Sequence, residues 1–442
     1  MASSHGDTIS NMKAMLASLS SAVPSQRRMP PAGLPARGGN VVLVTGTTGS
    51  LGCHLLGALA RSSDVLHVYA LNRASNNASL STRQQDALVE RAIDPCILDL
   101  PKITLLEGDL SLPNWGIAKD KYREMYGSVT HILHNGSHSW RVDMMSGLDA
   151  FGPVLLGLLR LVQFALDSPC ADTRRLLFIS STGAIHEAPR DMPIAEAPVD
   201  PIYAIGNGYA QSKWVAEQLL LTTAQRTTLD PLIVRVGQLT GGPAGDWAAN
   251  EWFPVMVQSA PYLGCFVDDP RRFGSTDFGT RYQPCPFLPF DIAANALLDM
   301  LHASSPTHIV HLIHPRPVCW NVIARHIAKE FSVKLVPYRK WLALLENAAR
   351  LLPKDTAARR RKMGQCRALR LLPFFRIYVH DGSEVSPLAM GWPNLEVKEA
   401  VAASQTLADP RLRKLESEDV MKWLEYWRRV GALPAGSSVA RL

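Results

Sequence analysis

The 442 residues include 46 Lys and Arg against 39 Asp and Glu, giving a formal charge of +7 and an isoelectric point near 9.0. A content of 47% hydrophobic and 19% charged residues is that of an ordinary soluble globular protein, and the length exceeds what one simple core serves. Seven cysteines, odd in number and without paired metal spacing, exclude a zinc-type site and predict reduced thiols in a cytoplasmic protein.

Residues 1–38 combine a short amphipathic piece, Ile9 to Leu19, with a Ser/Pro/Arg/Gly-rich stretch, and read as a linker or disordered N-terminus. No compact apolar segment with a cleavage site is present there, so no secretory signal is expected. Asn40 to Val44 then reads as a buried strand, a glycine turn follows, and Leu51 to Ala60 reads as a helix. Further strands are predicted at Val65 to Leu71, Ile103 to Leu106, Val129 to His134, Leu176 to Ser180 and Leu232 to Val236. Helical patterns lie between several of them, and such alternation predicts an α/β fold, a Rossmann-type doubly wound parallel sheet. The longest apolar run, Val154 to Leu166, is interrupted by Arg160 and Gln163, so no membrane span is expected. Beyond Gly241, Gly, Pro, Trp and Phe cluster through Pro289. This predicts a smaller, mostly helical substrate lobe, with helices near Trp320 to Phe331, Trp341 to Leu351 and Asp419 to Val430. The division expected is 39–243 for the nucleotide-binding domain, with a returning strand within 291–315, and 244–290 plus 316–442 for the lobe. The basic run Arg359-Arg360-Arg361-Lys362 reads as a solvated helix face, against partner docking or a nuclear signal. No groove-reading motif accompanies it, so no nucleic-acid partner is expected. The basic balance suits an anionic cofactor or an acidic partner.

The turn Gly46-x-x-Gly49-x-x-Gly52, with Thr48, Ser50 and Leu51 inside it, follows a strand and opens a helix. That context fits a backbone that approaches a pyrophosphate at a helix N-terminus. The second strand ends in Asn72-Arg73, where an NAD site usually places an acid; an arginine suits the 2′-phosphate of NADPH. Arg83 is a second candidate cation. Asp109-Leu110 follows the third strand, where Asp109 either accepts from an adenine amino group or caps its own turn. Tyr209 and Lys213 stand four residues apart, on one face of a helix. An ammonium beside the phenol is expected to draw its pKa from about 10 toward neutrality. Thr182, after the strand that ends in Ser180 and Ser181, supplies a hydroxyl for a carbonyl oxygen.

These residues, with Gly108-Asp109-Leu110, His134-Asn135-Gly136, Gly208-Tyr209-Ala-Gln-Ser-Lys213-Trp214, Arg235-Val236-Gly237-Gln238 and Glu251-Trp252-Phe253-Pro254, resemble the extended short-chain dehydrogenase/reductases. Within them the chain looks like the terminal thioester reductase domain of carboxylic acid reductases, aminoadipate reductases and fungal non-ribosomal-peptide-synthetase-like enzymes, over about Val41 to Trp427. The resemblance implies Thr182 as hydroxyl partner, Tyr209 as proton donor, and Lys213 as tuner of Tyr209 and binder of the nicotinamide ribose. It also places Asn135 and Gly136 near the cofactor and Gln238 at its nicotinamide end. Trp140, Gln238, Trp252 and Phe253 are candidate substrate contacts, against a lobe-core role for the aromatics. The implied reaction is NADPH-dependent reduction of an acyl thioester, delivered on a phosphopantetheinyl carrier domain, to an aldehyde. The alternatives are a free-standing carbonyl reductase or epimerase of the same fold and a non-catalytic dinucleotide sensor.

Overall fold

The computed structural model describes residues 2–23, 39–135, 146–169, 175–190, 192–268, 284–377 and 392–434. Its centre is a seven-stranded sheet, built from β1 (Asn40–Thr45), β2 (Val65–Asn72), β3 (Ile103–Glu107), β4 (His131–His134), β5 (Arg175–Ser181), β6 (Asp230–Val236) and the Ile309–Leu312 strand. Every pairing in it is parallel. The spatial order is Ile309–Leu312, β6, β5, β4, β1, β2, β3. Sequence and spatial order diverge between β1 and β4, and the crevice at the C-terminal ends of strands at such a switch point is where ligands bind.

The helices are α1 (Ala2–Ser20), α2 (Ser50–Arg61), α3 (Leu80–Glu90), α4 (Lys119–Ser128), α5 (Gly152–Asp167), α6 (Gly208–Arg226), α7 (Trp252–Leu263), α8 (Phe290–Asp299), α9 (Trp320–Glu330) and α10 (Tyr338–Arg350), followed by shorter pieces and a last helix, Ser417–Arg429. Because both faces of the sheet are covered, its strands are near-continuous apolar runs rather than alternating ones. One face packs on Leu55 and Leu59 of α2 and Ala293 and Leu297 of α8. The other packs on Leu158 and Leu161 of α5 and Val215 and Leu219 of α6. Residues Leu148–Asp167 are apolar and long enough to cross a membrane, but 56% of that window is buried inside the molecule, which fits a core helix.

A second core fills the lobe, where Trp247, Phe253, Trp320, Trp341, Trp423 and Trp427 are all essentially buried. Val420, Trp423, Leu424 and Trp427 of the last helix reach it at helical spacing.

Two sequence expectations need correction. Ala2–Ser20, read as part of a linker, is a helix packed on α5 and α6, with Met12 fully buried and Arg226 donating to the Ser20 carbonyl at 3.1 Å. Its apolar face was visible, but Met12, Met15 and Leu16 find their partners more than 100 residues away. The lobe also does not own all of 316–442. Ala400 and Leu407 join the core beneath the sheet, and Ile194 pairs with Leu395. The chain returns there because the apolar face beside the last strand needs cover.

One polar cluster crosses the sheet. Glu217 of α6 accepts from Arg235 Nη2 of β6 at 2.7 Å and from its Nε at 3.1 Å, both side chains being fully buried. Glu217 also accepts from Ser180 Oγ at 2.5 Å, while Arg235 donates to the Ala197 carbonyl at 3.0 Å. Losing one partner of a pair buried this deeply costs about 3–5 kcal/mol, because the other charge stays behind.

Candidate active site

The loop after β1 is shaped before any ligand reaches it. Gly46 takes φ +72° and donates to the Leu71 carbonyl at 3.0 Å. A Cβ on Gly52 would lie 2.0 Å from the Gly46 carbonyl oxygen, so only glycine lets α2 start this close to β1. Asn72, the last residue of β2, accepts from the Thr48 amide at 3.2 Å and donates to Thr47 Oγ1 at 2.7 Å. Gln84 of α3 accepts from that hydroxyl at 2.6 Å and donates to the Thr47 carbonyl at 3.0 Å. Asn135 adds a bond to the Gly46 carbonyl at 3.3 Å. Gly49 caps α2 with no side-chain hydrogen bond, and no acid stands in the first turn. The helix therefore opens with amides unclaimed by a side-chain cap and a favourable field for an anion. This geometry fits a dinucleotide pyrophosphate.

The other expected cofactor residues separate into roles. Ser50 accepts from Arg91 at 3.3 Å, and Leu51 is core. Arg73 follows β2 directly and is partly buried. Arg83 braces that corner, donating to the Arg73 carbonyl at 2.8 Å and to Glu107 at 2.9 Å. Asp109 caps its own turn, accepting from the Ser111 amide at 2.8 Å and hydroxyl at 2.7 Å. Leu110 packs against the core below α5. Gly136 and Trp140 lie outside the described residues.

The three hydroxyls after β5 have different commitments. Ser180 bonds Glu217. Ser181 accepts from the Gly183 amide at 3.0 Å, and its hydroxyl lies near enough to the Tyr209 phenol to act on its pKa. Thr182 starts a short 3-10 turn and lines the adjoining pocket. Across from them α6 begins at Gly208, capped by Asn207 accepting from the Ala210 amide at 2.9 Å. Tyr209, Lys213 and Glu217 follow at four-residue spacing along one face.

Lys213 Nζ donates to the Ile179 carbonyl at 2.9 Å and sits 4.8 Å from the centre of the Phe178 ring. It lies 5.7 Å from the centre of the Tyr209 ring. Burial lowers the Lys213 pKa to about 8, against the opposing pull of Glu217. The Tyr209 phenol moves the other way from the sequence expectation. Burial raises its pKa, and the nearby Ser181 hydroxyl only partly offsets this. Lys213 spends its proton on Ile179 instead of drawing the phenol toward neutrality. A phenol kept protonated is a donor, which is the role a carbonyl reduction needs. His134 shares a 2.9 Å hydrogen bond with Thr45, and burial, helped by Lys213, lowers its pKa to about 3. It is therefore a neutral wall of the site.

Thr182, Gln238, Phe287, Trp320 and Trp392 line a largely apolar pocket between sheet and lobe. Gln238 accepts from the Trp252 indole at 2.5 Å and donates to Glu251 at 3.2 Å; Trp247 also donates to Glu251, at 2.9 Å. Trp252 thus stands at the pocket edge through Gln238. Phe253 does not: it is fully buried, stacked on Trp247 at 4.9 Å, and belongs to the lobe core. Among the described residues no group of three His, Cys, Asp or Glu is arranged to hold a metal.

Sequence reading missed Asn72, Gln84 and Glu217 as organisers of the site. Glu217 left a signal, an acid one turn beyond Lys213 on the same face. Gln84 left none, because its partner is 37 residues away.

Burial pushes the Glu251 carboxyl from 4.5 up to about 7, although Trp247 and Gln238 donate to it. A raised carboxyl pKa contributes stability that is complete below about pH 4.5 and is lost as pH rises through about 7. Glu251→Gln removes that dependence. Its melting temperature relative to the parent is therefore expected to rise from about pH 5.5 to about pH 8.5. A difference that stays constant across this range contradicts the placement of Glu251.

The family model described as male sterility protein, an NAD-binding family, matches residues 44–297. Adenylate-forming reductase Nps10 of Heterobasidion annosum is 36% identical over 433 residues, which is 97% of this chain and 38% of that protein. The chain thus spans little more than a third of that relative. Among solved structures, the terminal R domain from the myxalamid PKS-NRPS pathway overlays with a TM-score of 0.72 at 22% identity, covering 97% of this chain and all of that one. A thiolation-reductase di-domain from an archaeal non-ribosomal peptide synthetase overlays with a TM-score of 0.64 at 15% identity, covering 94% of this chain and 80% of that one. These two overlays concern the fold.

Proposed function

The chain belongs to the male sterility protein family of NAD-binding domains, and on that premise we propose that it reduces a carrier-bound acyl thioester to the aldehyde with NADPH. The observation that carries this reading is the face of α6, where a protonated Tyr209 and a buried Lys213 stand beside the glycine loop and the Thr182-lined pocket. The nicotinamide supplies the hydride when bound. The loop from Gly46 to Gly52 and the start of α2 hold the pyrophosphate, and Lys213 holds the ribose. Thr182 donates to the acyl oxygen, and Tyr209 passes its proton to that oxygen as negative charge develops there. The product of this step is a hemithioacetal. Its C–S bond breaks as the C=O bond forms, its hydroxyl proton goes to the departing thiolate, and aldehyde and thiol result. The aromatic pocket wall keeps water from competing for these donors.

Tyr209→Phe is expected to lower turnover of an acyl thioester by roughly 10²- to 10⁴-fold with cofactor affinity retained, since the ring stays and only the hydroxyl that supplies the proton is lost. Near-normal turnover in absorbance assays of the variant refutes the assignment of the proton donor.

NADPH is preferred over NADH in this proposal because Arg73 stands where an acid would otherwise meet the ribose. Charge-assisted bonds to phosphate are worth about 1.5–3 kcal/mol, so Arg73→Ala is expected to narrow the preference by about one to two powers of ten. Equal kcat/KM for the two cofactors in the parent protein removes Arg73 from this role.

A further inference from the structure

The positive charge of this chain is not spread over it. Residues 350–370 contain eight of the 46 Lys and Arg and one of the 39 Asp and Glu, so the rest of the chain is balanced at 38 of each. The whole formal charge of +7 thus resides in 21 residues. Their centre is helix α11 (Thr356–Gln365), which buries none of its residues. Asp355, the acid of the stretch, caps that helix by accepting from the Ala358 amide at 2.7 Å. Arg350, Lys354, Arg359, Arg360, Arg361 and Arg370 are exposed, and among the described residues no ion pair joins any of them to an acid. Leu351 stands beside them, 62% exposed and the most exposed large hydrophobic residue among those described. Lys362 fixes it in place by donating to its carbonyl at 3.0 Å.

This surface is tied to the pocket. The Ala368 amide donates to Ser259 Oγ of α7 at 2.9 Å, and the Phe374 ring lies 6.3 Å from that of Trp252, whose indole bonds Gln238. A helix that buries none of its residues and packs only Met363 against the lobe core is not there to fill that core, and one that lay on a membrane would need a broad apolar face. No aromatic side chain interleaves the cations, as single-stranded nucleic acid would require. A run of exposed cations without ion pairs among the described residues, with the exposed Leu351 in the same stretch and a link to the pocket through Ser259 and Trp252, fits a protein partner with an acidic face.

We propose that α11 and its flanks are the docking surface for the acidic face of a phosphopantetheine-bearing carrier domain, which delivers the acyl thioester to the Thr182 pocket. This rests on the thioester reading above. Docking holds the arm beside the pocket, so the acyl group arrives at an effective concentration of millimolar order. Charge attraction over this range is screened beyond a Debye length of about 10 Å at 0.1 M salt, so the contribution is salt-sensitive.

The test compares the parent with a triple variant, Arg359→Ala, Arg360→Ala and Arg361→Ala, and with a control lacking exposed cations elsewhere, Lys13→Ala, Arg123→Ala and Arg411→Ala. The substrate is the acyl group reduced fastest as its N-acetylcysteamine thioester, offered in that form and on an excised thiolation domain. Affinity for the same domain, phosphopantetheinylated but unloaded, is measured separately by fluorescence anisotropy. The triple variant is expected to lose about ten-fold or more in kcat/KM for the carrier-bound substrate and most of its salt dependence, as surface charges that steer association do. It is expected to keep its kcat/KM for the small thioester, and the control is expected to match the parent. Carrier-bound kcat/KM unchanged in the triple variant overturns the docking surface and leaves the reductase reading standing. Equal loss in the control, or mixed-sequence RNA bound as tightly as the carrier, makes the effect one of general charge and also overturns it. Carrier affinity lost in the triple variant, in a protein that reduces neither thioester, supports the docking surface and refutes the reductase reading.

Discussion

The site depends on one buried ion pair. Glu217 and Arg235 meet with no solvent contact, and each is bonded to a different strand of the sheet: Glu217 to Ser180 of β5 through its carboxylate, Arg235 through its own position in β6. Burying two charges is costly, and the cost is met only where every remaining donor and acceptor finds a partner. Here the Ala197 carbonyl takes another guanidinium hydrogen, and His311 stands 3.4 Å from the same nitrogen. Such a pair tolerates little rotation. It fixes α6 about its axis, and the same face of α6 carries Lys213 one turn and Tyr209 two turns earlier. The face of α6 proposed to be catalytic is aimed from behind by residues that do not line the pocket.

Burial also sets the protonation states. It raises the Tyr209 phenol, lowers Lys213 to about 8, and lowers His134 and His311 to about 3. The outcome is a neutral donor, a cation near its titration point and two uncharged imidazoles at neutral pH. Charge proximity acts within this frame but does not override it. Glu217 opposes the fall in Lys213, and Lys213 adds to the fall in His134. Desolvation is the first cause for each of these groups.

The seven strands and the glycine loop were legible in the sequence because their signals are local: apolar runs of strand length, and glycines where backbone must approach backbone. Gly52 shows this directly, since its Cβ would strike Gly46. The spacing of Tyr209 and Lys213 gave their shared face. What stayed hidden depends on partners distant in sequence. Asn72 and Gln84 hold the loop across 25 and 37 residues, and Met12 is buried by helices that begin at Gly152 and Gly208. The sign of the Tyr209 shift was misread for a related reason: spacing put Lys213 near the phenol, but burial and the Ile179 carbonyl decided where the ammonium points. The sequence left Phe253 open between core and pocket, because an aromatic side chain in the lobe serves either equally well until its neighbours are known.

The central claim is that this chain moves a hydride from the nicotinamide to a thioester carbonyl with Tyr209 supplying the proton. Incubation of the protein with an acyl thioester and NADPH carrying deuterium on the transferred position of the nicotinamide tests it directly, read by mass spectrometry of the released product. The account predicts an aldehyde one mass unit heavier at its formyl carbon, with free thiol released in equal amount. Unlabelled aldehyde, or NADPH consumed only when a free ketone or aldehyde is supplied, contradicts it.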